Sequence, residues 1–155
     1  AARWTEDLPT SAWATPSLDD LHDPMTMLNM GAAVERLRFA VEQGQKVRII
    51  TDYDVDGTTS SLILQAAMRL SGPNCNISYH IPNRFVEGYG FSTIAARAAV
   101  EDGVDLIITA DIGVRDHAAV DEAKAGGVDV LICDHHLPAG ESVLTLIAPV
   151  SRSHE

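Results

Sequence analysis

Apolar and polar positions along this 155-residue chain change period several times, and each change marks an element. Met27, Met30, Val34, Leu37 and Val41 recur at spacings of three and four, which predicts an amphipathic helix running to Gln43. Asp23 stands as its N-cap, Pro24 at its first position and Gly44 at its C-terminal cap. The run 47–50 reads as a short buried strand. Leu62, Ile63, Ala66, Ala67 and Leu70 predict the apolar face of a second helix, stopped by Gly72-Pro73. Weak alternation over 75–81 predicts a strand, and 82–90 a glycine-bearing loop. A helix over 92–101, a strand over 104–109, a helix over 116–125 and a strand over 128–133 follow. The apolar segment 143–148 is expected as a further strand. Strands alternating with helices across crossovers of ordinary length predict an α/β fold, a mostly parallel sheet with helices on both faces.

The strand ends carry the candidate chemistry. Asp52, Asp54 and Asp56 follow the first strand, and alternation places them on one side of the chain while it stays extended. Like charges that close cost stability unless a cation sits among them, and hard oxygen ligands point to Mg²⁺ or Mn²⁺. The strand over 104–109 runs into Asp111, and the one over 128–133 into Asp134, His135 and His136. Ligands collect outside the carboxyl ends of a parallel sheet, so the three groups are expected to converge. Carboxylate mixed with imidazole suits Mn²⁺, and several shared carboxylates suit a pair of ions. An EF-hand also opens D-x-D-x-D-G, but its twelfth position requires Glu and here it is Ile63. A haloacid-dehalogenase-type phosphatase shares the D-x-D-G-T pattern over Asp54 to Thr58. That reading would make Asp54 a nucleophile and Lys124 its later lysine, yet no acidic pair follows Lys124.

Composition narrows the class further. Apolar residues make up 46% of the chain, enough for one domain with a sizeable core. A net charge of −11 opposes diffuse adsorption to nucleic acid or acidic membranes, although metal ions and a few basic residues reverse the field inside a cleft. Cys75 and Cys133 are too few for a disulfide framework and are expected as buried free thiols in a cytoplasmic protein. No run reaches membrane-spanning length. Residues 1–22, with Trp4 and Trp13, are expected as an arm packed on the domain, 23–150 as the metal-binding domain and 151–155 as a stub.

Taken in order, D-x-D-x-D-G, a strand-end Asp with Gly two residues on, and Asp-His-His resemble the DHH phosphoesterase superfamily. Asp23-Pro24, Ile81-Pro82-Asn83-Arg84 with Glu87-Gly88-Tyr89-Gly90, and Asp134-His135-His136-Leu137-Pro138 narrow the resemblance to RecJ-type single-strand-specific exonucleases, over roughly residues 20–148. That resemblance implies two ions: Asp52 and Asp54 on one, Asp56 and His135 on the other, and Asp111 bridging. Asp134 would orient a histidine, His136 would face the substrate phosphate, Arg84 would grip a phosphate, and Gly88 and Gly90 would let backbone amides approach the strand. The implied activity is metal-dependent phosphodiester hydrolysis in a 5′-to-3′ single-stranded DNA exonuclease of repair and recombination, cytoplasmic and without a membrane partner. RecJ-type proteins continue past the length present here with a fourth acidic motif and further domains, so this chain reads as the first catalytic subdomain, binding single-stranded DNA weakly. The alternatives are a small DHH phosphodiesterase on oligonucleotides or cyclic dinucleotides, and a non-catalytic partner that keeps the fold.

Overall fold

The computed structural model describes residues 17–72 and 76–138. Two compact units are distinguished, residues 1–30 and 31–155. In the first, Leu18–Asp20 and Pro24–Thr26 are single 3₁₀ turns, and Asp23 caps the second by accepting from Met25 N at 2.9 Å. The capping signal is therefore real, but the helix it opens is one turn long. Met27 leaves it extended and Asn29 turns left-handed at φ +60°, so the long helix, α1 (Met30–Glu42), starts afresh.

The second unit continues with β1 (Lys46–Thr51), α2 (Val55–Ser71), β2 (Asn76–His80), α3 (Thr93–Glu101), β3 (Leu106–Ala110), α4 (His117–Ala125) and β4 (Asp129–Cys133). All strand pairings are parallel, in the order β2-β1-β3-β4. Alternation along the strands splits the core between two faces. Val47, Ile49, Leu106 and Ile108 pack with Ala40 of α1 and Met68 of α2. Ile50, Ile107 and Val130 pack with the alanines of α3 and α4 and with Phe91. The expected parallel sheet with helices on both faces is what forms.

Two predicted helix faces are corrected. In α1 the inward positions are Ala33, Leu37, Ala40 and Val41, while Val34 and, before the helix, Met27 are exposed. In α2 the inward line is Gly57, Ser61, Gln65 and Met68, and Leu62, Ile63 and Leu70 point outward. Gly57 sets that phase. A Cβ there would stand 2.3 Å from the Asp52 carbonyl oxygen, so the helix rests its glycine on the end of β1. Ser61 and Gln65 then follow on the same face and bond each other at 3.1 Å, so their polar atoms are buried with a partner. Cys133 is exposed at the end of β4 rather than buried. Cys75, Trp4, Trp13 and the segment 143–148 lie outside the described residues. Among those described, no helix is long and apolar enough to cross a membrane.

Candidate metal centre

From β1 the chain crosses by α2 to β2 on one side, then returns by α3 to β3 on the other side of β1. β1 and β3 therefore flank the point where the winding reverses, and their carboxyl ends open the crevice in which such sheets bind ligands. Asp52 follows β1 and Asp111 follows β3.

At the end of β1 the chain stays extended only as far as Asp54. Asp52 is buried and accepts from Tyr53 N at 2.7 Å; Asp54 caps α2, accepting from Gly57 N at 3.0 Å. Asp56 already belongs to the first helical turn and is exposed, so three carboxylates do not alternate along one strand. At the end of β3, Asp111 takes a left-handed backbone (φ +65°), sparsely populated for a residue with a side chain, while its N–H donates to the Cys133 carbonyl.

These turns bring together one oxygen each from Asp52, Asp54 and Asp111, all within 4.8 Å of one another. Ligand atoms of Asp111, His135 and His136 form a second group within the same limit. His135 Nε2 lies 3.0 Å from Asp111 Oδ1, and Asp111 is common to both groups. Asp56 belongs to neither.

The electrostatics of the cluster suit a bound cation. Burial, then the neighbouring Asp54 charge, push the Asp111 carboxyl above the usual carboxylate range, with His135 opposing. Asp54 is held low, chiefly by the Gly57 N–H. A cation between the two carboxylates would relieve that repulsion. Asp111 Oδ2 is buried without a hydrogen-bond partner among the described residues, a costly state unless something positive meets it. A divalent ion suits both features.

Asp134 supports this group from behind. Burial raises its carboxyl, but the N–H groups of His136 and Val114 and the His136 ring outweigh that and hold it low. Its Oδ1 lies 2.7 Å from His136 Nδ1, which raises the affinity of that imidazole for a proton. Arg84 stacks over the Tyr53 ring at 4.9 Å and makes no ion pair among the described residues. Gly88 is exposed, whereas Gly90 is buried against Asp116 and serves the fold of its own loop. Sequence reasoning did not single out Tyr53 or Tyr89, whose rings meet edge-on at 6.4 Å beside the acids. Tyr53 follows β1, whereas the placement of Tyr89 depends on the path of the 82–90 loop, which carries no periodic signal.

The fold and the site define a parallel α/β domain with an acid–imidazole cluster at its switch point. The chain belongs to the DHH family: residues 46–154 match the DHH family, N-terminal domain. It is 44% identical over 126 residues to the single-stranded-DNA-specific exonuclease RecJ of Bacillus subtilis, covering 79% of this chain and 15% of that protein. It is 42% identical over 106 residues to the RecJ of Escherichia coli, covering 68% of this chain and 18% of the relative. A crystal structure of exonuclease RecJ bound to manganese superposes with a TM-score of 0.63 at 34% identity, over 71% of this chain and 27% of the other. RecJ of Thermus thermophilus in complex with Mn²⁺ gives 0.62 at 29% identity, over 81% of this chain and 17% of that one. The chain thus spans about a fifth or less of the length of the curated relatives it matches.

Proposed function

We propose that this domain is the metal-binding part of a 5′-to-3′ exonuclease that hydrolyses phosphodiesters of single-stranded DNA. The observation that carries the reading is Asp111, buried, left-handed and with an orphaned oxygen, shared between an aspartate group and a histidine group. The relatives' names supply the substrate class.

Asp52, Asp54 and Asp111 would hold one divalent ion, with Asp111 and His135 offering ligands toward a second. Asp56, exposed in the first turn of α2, belongs to neither close group. Mn²⁺ fits the carboxylate–imidazole mixture better than Mg²⁺, which prefers oxygen alone. Bound ions there would lower the pKa of a water nucleophile and neutralise charge developing on the phosphate. The protein's own part is positional. Asp134 fixes the His136 ring, Gly57 N–H orients Asp54, and Arg84 holds a guanidinium over the Tyr53 ring with no carboxylate engaging it among the described residues. That guanidinium suits a phosphate, which it meets with paired donors.

The test is release of nucleotides from 5′-labelled single-stranded and duplex oligonucleotides with Mn²⁺. Cleavage confined to the single strand is expected, and Asp111→Asn should lower it by more than about 100-fold, beyond the range for losing an outer-shell partner. Equal activity in the variant would remove Asp111 from the centre.

A further inference from the structure

The loop between β2 and α3 is fastened by acids that no part of the reaction requires. Glu87, with a side chain 9% exposed, accepts from Asn83 N at 2.9 Å and lies 2.8 Å from His80 Nε2. Asp116 stands at the head of α4 yet makes no side-chain bond to its own helix. Instead its Oδ2 accepts from Phe91 N at 2.7 Å. Gly90 lies directly over that carboxylate: a Cβ would stand 2.8 Å from Oδ2, and φ is +92°. Tyr89, immediately before this latch, is thereby held at the site.

Its hydroxyl lies 3.4 Å from His136 Nε2, and the two rings meet edge-on with centroids 6.3 Å apart. The imidazole is therefore gripped at both nitrogens, because Nδ1 lies 2.7 Å from Asp134 Oδ1. An ionised carboxylate can only accept, so Nδ1 carries the hydrogen and Nε2 presents its lone pair. The Tyr89 hydroxyl then donates to Nε2. A phenol also accepts, so the same oxygen can meet Nε2–H without the ring turning.

We infer that Tyr89 is a positioning residue for His136: with Nδ1 held by Asp134, its hydroxyl bonds Nε2 and fixes the orientation of the ring beside Asp111. The inference rests on the reading of His136 as the substrate-facing histidine.

Tyr89→Phe removes the hydroxyl and keeps the ring against Tyr53. In the whole chain with Mg²⁺ as a diamagnetic ion, the side-chain ¹⁵N spectrum of His136 should show Nε2 moved to the position of an unbonded lone pair, with Nδ1 keeping its hydrogen on Asp134. Mn²⁺ affinity should be unchanged. On single-stranded oligonucleotide kcat should fall about tenfold with KM unmoved, the low end for a residue supporting an active group. Tyr79→Phe, on the exposed edge strand β2, should alter none of these. Identical His136 nitrogen shifts in wild type and Tyr89→Phe would overturn the inference, whatever the nuclease result. A shifted Nε2 resonance with no nuclease activity in the wild type would instead overturn the phosphodiesterase reading and leave the hydroxyl's role standing.

Discussion

Asp111 shows how one residue can weaken a fold in order to build a site. It is a buried carboxylate beside a second one, on a backbone conformation that costs about 1–3 kcal/mol for most side chains. Its folded pKa is raised, so folding favours its protonated form. The sign follows: without metal, its contribution is most favourable below the unfolded value and is lost as pH rises through the raised folded value. Asp111→Asn imitates the protonated acid and tolerates the left-handed backbone. In EDTA the variant and wild type should melt together at acid pH, with the variant increasingly the more stable toward neutrality. Saturating Mn²⁺ should reverse the order at neutral pH, because wild type alone gains the roughly 5–10 °C expected at a hundredfold excess over Kd. Parallel melting curves across pH in EDTA would mean that Asp111 is not under the strain assigned to it.

At the scale of the element, α2 separates what periodicity reveals from what it hides. Its length was legible, from the acids before it to Gly72 after it. Its inward face was not, because leucine and isoleucine outweigh serine and glutamine in any apolar count. The phase is set instead by the contact of Gly57 with the end of β1, a tertiary fact with no local signature. The same limit explains α1, where Asp23-Pro24 is a good start signal for a single turn that ends at Met27, before Asn29 turns left-handed. The corrected face predicts opposite costs for two apolar residues of the same helix. Met68→Ala should destabilise by about 2–5 kcal/mol, as a buried cavity mutant. Leu62→Gln, at 63% exposure and with a good helix former introduced, should stay within about 0.5 kcal/mol. Urea midpoints decide the matter. A costly Leu62 with a tolerant Met68 would restore the face expected from periodicity.

For the whole molecule, strand order and charge together decide how a polyanion can be met. The site was largely readable because a parallel sheet delivers every strand's carboxyl end to one edge, so Asp52, Asp111 and Asp134 to His136 had to gather there. Asp56 stands outside both close groups because the helix begins one residue before it. The net charge of −11 is a property no single element shows. Arg36, Arg48 and Arg97 are engaged by Asp129, Asp102 and Glu122, and Arg38 by two glutamates, while Arg69 bonds Gln65. Among the described residues Arg84, over the Tyr53 ring, and Arg115, which donates to the Leu137 carbonyl near His136, are the guanidiniums near the acids without an ion pair. Single-stranded DNA should therefore bind this chain only when Mn²⁺ has offset the central carboxylates. The contact should also be narrow. If Arg84 and one further positive centre neutralise about two phosphates, the logarithm of affinity falls against that of salt with a slope of roughly −1.4. Between about 50 and 200 mM salt that is a loss of about sevenfold, far less than for a protein lying along many phosphates. Fluorescence anisotropy of a labelled oligonucleotide measures it directly, and Arg84→Ala should flatten the slope by about 0.7. Binding that persists in EDTA, or a salt dependence unaltered by Arg84→Ala, would place the DNA on some other surface of the domain.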